Sequence, residues 1–258
     1  MQKQIHPKSA KLKKFITERN ARNLALYLKD PQSLESSRNQ KVNKYSVIET
    51  ERLVLRPWRM DDIEDLLECL SDYEVVKNLP GFKYPVTRED AQEFIKQANH
   101  TKGYGKRFYA IQPKGSNKVI GSTSVVIEDY DAVGKCASGD LWLNSAFQGN
   151  GYAKEARYAR IKFCFEQLKV RHIRTSFAED NKASWKMQEP FGTEIYDWQY
   201  REYKARPKVY DARGKEKKVK SIKAILTKDS FRKHKQALLE DTNINDAAIN
   251  WYESKQAG

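Results

Sequence analysis

The chain has 258 residues, 39% of them apolar, with 5 Trp, 14 Tyr and 10 Phe. That length suits one large domain with additions or two small ones, and the apolar content excludes wholesale disorder. The net charge of +14 points to an acidic partner or to solvated lysines, while no apolar run nears the roughly 18 residues of a membrane span.

The N-terminus "MQKQIHPKSAKLKKF" lacks the apolar core of a secretory signal. Cys69, Cys136 and Cys164 lie far apart without disulfide or Cys/His ligand spacing. A cytoplasmic protein with reduced thiols, no metal and no membrane contact is therefore expected. The charge is uneven. Residues 1–44 hold 11 Lys/Arg against 3 acids and residues 201–235 hold 14 against 4, whereas 45–200 hold 22 against 23.

In chain order, residues 9–30 place Leu12, Phe15, Ile16, Leu24, Tyr27 and Leu28 at helical spacing up to Pro31, and a polar linker follows to 45. "ERLVLRPW" from 51 alternates as a strand. "RMDDIEDLLECLSD" has an acidic first turn and a helical stripe of Ile63, Leu66, Leu67 and Leu70. Thr87 with Asp90 opens a second helix, "REDAQEFIKQAN". Strands "RFYAIQP", "KVIGSTSVVIED" and "DLWLN" come next, then a helix from Gly151 to about Leu168. "HIRTSFA" is a strand, and "NKASWKMQEPFG" is a short helix stopped near Pro190 and Gly192. "IYDWQYREYKA", a turn at "DARGK" and "VKSIKAILT" make a last hairpin. The order is mixed α/β, with an apolar strand feeding the longest helix midway, where such folds hold anionic ligands.

The join of that strand and helix, "GDLWLNSAFQGNGYAKEA" (139–156), carries the chemistry. It lacks the third glycine of a dinucleotide fingerprint and the Gly-Lys-Ser/Thr of a P-loop. What remains is a Gly-Asn-Gly turn whose amides, at the positive end of a helix, suit a pyrophosphate; Lys154 would add charge. Taken alone, such a turn is more often a mere connection than a ligand site. His100 and His172 have no sequence neighbours that suggest a triad. Trp185, Trp198, Tyr200 and Tyr203 fit either an acceptor wall or ordinary core.

Gln148, Gly151 and Ala153 form Q-x-x-G-x-A, which resembles the acyl-CoA motif of the GNAT superfamily of N-acyltransferases. The string "LWLNSAFQGNGYAKEA" is similar to the RimJ/RimL branch, which acetylates protein N-termini. "ETERLVLRPWRMDDIEDL" (49–66), "KVIGSTSV" (118–125), "AEDNKASWKMQEPFG" (178–192) and the hairpin with "YDARGK" (210–215) resemble further parts of that branch in the same order.

The resemblance implies an α/β fold with a mixed, mostly antiparallel central sheet flanked by helices, over residues 46–230. Residues 1–45 would add a basic helix and linker, and 231–258 a C-terminal helix or tail. It implies acetyl-CoA as cofactor. The amides of Gln148, Gly149, Asn150, Gly151, Tyr152, Ala153 and Lys154 would hold the pyrophosphate. The backbone around Trp142 and Leu143 would pair with the pantetheine arm as an added strand. Asn181 would contact the cofactor, and Ser184 would protonate the departing thiolate. Ser138 stands where the branch often carries a glutamate base; Asp140, two residues on and hence on the same strand face, is the candidate substitute.

The function implied is acetyl transfer to a primary amine: a protein N-terminus, a tRNA-linked or other RNA-associated amine, or a small molecule. The basic flanks favour a ribosome or RNA as partner over cationic acceptors. The alternative is an acyl-CoA- or RNA-binding module with weak catalysis. Oligomeric state is left open, a homodimer included.

Overall fold

The computed structural model describes residues 46–100, 105–128, 136–208 and 218–253. The helix expected over 9–30, its linker and the turn at 211–215 lie outside the described residues. The sheet contains β1 (Ser46–Glu49), β2 (Leu53–Pro57), β3 (Lys106–Pro113), β4 (Gly121–Glu128), β5 (Cys136–Ser138), β6 (Leu141–Leu143), β7 (His172–Ala178), β8 (Glu194–Arg201), β9 (Val219–Thr227) and β10 (Asn250–Glu253). Their order is β10-β1-β2-β3-β4-β5-β7-β9-β8, with β6 also on β4. Among the described pairs only β5 and β7 run parallel. The mixed, mostly antiparallel sheet is as expected.

Two apolar layers cover it. On one face α1 (Ile63–Cys69), α2 (Tyr73–Val76) and α3 (Arg88–His100) bury Leu66, Leu70, Val76 and Ile95 against Trp58, Ala110 and Trp142. Asp62 at the start of α1 accepts from the backbone of Arg59 and takes both guanidinium ends of Arg56 at 2.8 Å, so α1 is pinned to β2. On the other face α4 (Tyr152–Glu166) sinks Tyr158, Ile161, Phe163 and Phe165 into the larger core. α5 (Lys182–Gln188) follows β7, and a 3-10 turn over Glu189–Phe191, with Pro190 in its first positions, stops it where Pro190 was expected to.

Residues 228–253, expected from 231 onward as a C-terminal helix or tail, form that helix and also supply a strand to the same sheet. α6 (Lys228–Thr242) buries Phe231 and Leu238 in the α4 core, and β10 zips onto β1 from Ser46↔Glu253 to Glu49↔Asn250. Trp251 meets Phe163 edge-on at 5.7 Å. β1 and β10 are four residues each, too short to show alternation, and were not read as strands.

Asp246 fastens this segment. It accepts from Tyr158 at 2.8 Å and pairs with Lys162 of α4 at 2.9 Å and Lys235 of α6 at 2.7 Å. Burial pushes its carboxyl up, but the bonds from Lys162, Lys235 and Tyr158 outweigh that and hold it at about 2. A carboxylate depressed on folding stabilises above its unfolded pKa of about 4, and that stability is lost as pH falls through the folded value. Asp246→Asn is therefore expected to lower stability at neutral pH by about 1 kcal/mol, after discounting for the exposed part of the site. Urea unfolding at several pH values checks it: the gap to wild type should close between about pH 4 and pH 2. A gap independent of pH would refute the assignment.

Candidate active site

Among the described residues β7 pairs with β5 only as far as Arg174 and β6 pairs only with β4, so the sheet opens between Leu141–Leu143 and Thr175–Ala178. A cleft of about 870 Å³ runs through the opening. Its lining includes Gln148, Gly149, Gly151, Ala153 and Lys154 at the start of α4, and Asn181 at the start of α5. It also includes Asp72, Glu74, Lys77 and Asn78 around α2, and Arg206. Asp140, Trp142, Leu143, Ser184, Thr175 and Phe177 line it as well. Asn150 and Tyr152 stand apart from the lining: the Asn150 carbonyl accepts from Arg52, and the Tyr152 ring lies 4.8 Å beneath the Arg52 guanidinium.

The Gly-Asn-Gly turn is built for close backbone approach. Gly149 and Gly151 hold φ of 80° and 79°, in the left-handed region that costs other residues about 1–2 kcal/mol. A Cβ would meet nothing within 4 Å at Gly149 and only the tip of Arg52, 3.2 Å away, at Gly151. Conformation, not crowding, demands glycine here. No side chain caps α4, whose N-cap is Gly151 itself. The first amides of the helix keep their hydrogens for a ligand, backed by the positive end of the helix dipole. These features fit an anionic phosphate linkage. Lys154 is paired across the cleft rim with Asp241 at 3.1 Å, an exposed pair worth at most about 1 kcal/mol and so readily exchanged for a phosphate.

Arg52 and Glu155, which sequence reasoning passed over, brace this turn. Glu155 is only 3% exposed and accepts from the Thr50 hydroxyl at 2.6 Å and from Arg52 Nε at 2.6 Å; Arg52 also reaches the Asn150 carbonyl at 3.1 Å. A carboxylate beside an anion site would repel the ligand, and Arg52 cancels it. Arg52→Ala is expected to cost about 1–3 kcal/mol of stability by leaving Glu155 without its charged donor, and to weaken acetyl-CoA binding too. Urea melts and calorimetric titration test both; wild-type values in each would refute the bracing role.

The wall that would carry the pantetheine is the free edge of β6. Asn144 donates to Ile120 and Ser124 donates to the Asp140 carbonyl, so by antiparallel alternation residues 140, 142 and 144 spend their main-chain groups on β4. Leu141 and Leu143 turn theirs toward the opening. The Leu143 carbonyl already accepts from Gln148 Nε2 at 3.1 Å. The open edge is thus centred on Leu141 and the Leu143 amide, and Trp142 contributes its ring to the α1–α3 core.

At the inner end, Asp140 keeps one register with Ser138 and Trp142 against β4, from Val126↔Ser138 to Thr123↔Leu141. Its carboxylate accepts from the Ser124 hydroxyl, and its carbonyl takes Arg160 at 2.6 Å and Thr123 Oγ1 at 2.8 Å. Gly139 permits this: a Cβ there would lie 2.0 Å from the Ser124 carbonyl. Asn181 uses its side-chain oxygen to cap α5 through the Ser184 amide at 3.0 Å, and Ser184 Oγ accepts from Gln188 at 3.0 Å.

Arg157, Arg160, Asp180 and Arg206 also line the cleft and were not singled out from sequence. Arg206 donates to Asp180 at 2.7 Å, to the Lys77 carbonyl and to Asn78, and this contact holds the Asp180 carboxyl below its usual range against burial. Burial pushes the guanidinium of Arg157 down strongly, with neighbouring Arg160 adding to it. A legible signal existed for these two: charged residues three apart in a helix whose neighbours Ala156, Ala159 and Phe163 are all core. Of the aromatic residues, Trp185 stacks on Phe177 and Tyr203 is buried, while Trp198 and Tyr200 are exposed on β8. His172 is buried in β7, and the three cysteines are buried and form no disulfide among the described residues. Among the described residues no helix is long and apolar enough to cross a membrane.

Comparison with known proteins gives the family and agrees with the fold. The family described as Acetyltransferase (GNAT) domain matches residues 52–194. The chain is 27% identical over 146 residues to the uncharacterized N-acetyltransferase YnaD of Bacillus subtilis, spanning 56% of this chain and 81% of that protein. RimJ of Mycobacterium smegmatis, solved with CoA-disulfide, superposes with a TM-score of 0.62 at 14% identity, over 81% of this chain and 98% of that one. The microcin C7 self-immunity acetyltransferase MccE, solved with acetyl-CoA and AMP, gives 0.52 at 18% identity, over 69% and 93%.

Proposed function

The chain belongs to the GNAT acetyltransferase family, and from that premise we propose which amine it acetylates and which residues act. It is an acetyl-CoA-dependent N-acetyltransferase. The acceptor in our reading is the α-amine of a protein N-terminus, presented in the cytoplasm on a polyanionic assembly such as a ribosome. The observation that carries this is the reach of the cleft lining beyond the glycine turn, to Asp72, Glu74, Lys77 and Asn78 around α2 and to Arg206, which leaves room for an acceptor beside the cofactor. The 14 Lys/Arg of residues 201–235, Arg206 among them, favour an anionic assembly.

When bound, acetyl-CoA supplies the acetyl group as an activated thioester. The turn Gln148–Lys154 binds its pyrophosphate through main-chain amides, and Leu141 and Leu143 orient the pantetheine along the edge of β6. Asp140, fixed by Ser124, Thr123 and Arg160, takes the proton that the amine must lose to attack. Ser184, held by Gln188, donates to the sulfur as it leaves.

The test offers acetyl-CoA with peptides bearing free or blocked N-termini, with tRNA, with ribosomes and with polyamines, and reads acetylation by mass spectrometry. Acetylation of free-N-terminus peptides, increased when they are presented on ribosomes, is expected. Turnover confined to polyamines would overturn the acceptor assignment. No turnover at all, with salt-dependent RNA binding, would favour the non-catalytic alternative.

A further inference from the structure

We propose that the inner end of the cleft is a carboxylate-binding subsite formed by Arg157 and Gln188, so that one of the two reactants carries a carboxylate next to its reacting group. The guanidinium of Arg157 offers five N–H donors. Among the described residues it makes one long hydrogen bond, 3.4 Å to Thr193, and packs on the Phe191 ring at 5.0 Å. Its Nε has no partner, although Arg157 is 4% exposed and lines the cleft. A buried guanidinium ordinarily has a carboxylate, because an uncompensated buried charge is costly.

Here the charge that bears on it is another cation, Arg160. Arg160 has its own compensation in three oxygens, Thr123 Oγ1, the Ser124 carbonyl and the Asp140 carbonyl, with the Asp140 carboxylate acting on it as well. Arg157 has none. Gln188 lines the same cleft at 2% exposure, and its Oε1 is likewise unpartnered while its Nε2 donates to Ser184. An under-bonded cationic donor thus lines the same cleft as an amide anchored to Ser184, and Phe191, on which Arg157 packs, follows Gln188 by three residues. A carboxylate satisfies Arg157 by charge and direction; Gln188 Oε1 accepts from a neighbouring N–H of the same ligand or from a water.

The carboxylate has two sources: the acyl chain of a dicarboxylic acyl-CoA, or the acceptor amine. In either case the transfer is unchanged. The amine nitrogen bonds to the acyl carbon, the C–S bond breaks, and one amine proton ends on the thiol of CoA. The inference rests on the acetyltransferase reading only in that the thioester lies near Ser184.

Calorimetric titration without the second substrate separates the sources. In the first arm, succinyl-CoA is compared with butyryl-CoA, which has the same chain length and no charge. In the second, the CoA-saturated protein is titrated with a glycine-containing dipeptide and with its C-terminal amide. A preference of about tenfold or more for the carboxylate in one arm is expected, and its loss in Arg157→Met. No preference in either arm of the wild-type protein, or a preference that survives Arg157→Met, overturns the proposal. The wild-type comparison decides even if the variant does not fold. Failure of CoA itself to bind would instead sink the cofactor site, which is a separate result.

Discussion

Gly151→Trp is expected to abolish acetyl-CoA binding while leaving the protein folded. The substitution acts twice at the start of α4. A tryptophan at φ 79° carries about 1–2 kcal/mol of left-handed strain, relieved by tilting the amides of residues 151–153 away from the phosphates. Its indole then covers the turn that the ligand must approach. Two lost charge-assisted hydrogen bonds, at about 1.5–3 kcal/mol each, weaken binding by at least about 100-fold. Gly149→Ala is the matched control: its Cβ meets nothing within 4 Å, so it reports the strain without the cover and should bind measurably but more weakly than wild type. Calorimetry with acetyl-CoA and circular dichroism check both. Wild-type affinity in Gly151→Trp would remove the pyrophosphate site from this turn.

That turn was legible because its signal is local. Glycines at φ near 80° and an uncapped helix start are written in six consecutive residues, and "HIRTSFA" was read to its true ends for the same reason. What was not legible is long-range. β1 and β10 have no meaning until they pair across 200 residues of chain, and the tyrosine of that pairing, Tyr252, reaches Glu49 at 2.7 Å only then. Arg52 looks like a surface residue of "ERLVL" until α4 arrives with a buried Glu155. The alternation that puts Ser138 and Asp140 on one strand face holds, because β5 and β6 keep a single register. The same alternation sends the main-chain groups of Trp142 to β4 rather than to a ligand. Period-two reasoning places side chains; which strand edge is free depends on the partner strands, and a sequence alone does not say where a sheet will split.

The split also decides the chemistry, and Asp140→Asn tests it most directly. Three donors hold the Asp140 carbonyl, from Arg160, Ser124 and Thr123, so the side chain starts from a fixed point in the lining of the cleft. Asparagine keeps the shape and the oxygen that accepts from Ser124, but takes no proton. General-base contributions are about 10²–10⁴-fold, so kcat is expected to fall at least about 100-fold. KM for acetyl-CoA should hold, since the phosphate turn is a separate segment. Ser184→Ala removes only the proposed donor to the leaving sulfur, an easier departure than that of the amine proton, and should cost less. Steady-state kinetics on a peptide acceptor measures the pair. If Asp140→Asn turns over like wild type, Asp140 is an ordinary strand-edge acid. The positioned amine would then lose its proton through water, with catalysis resting on orientation in the cleft.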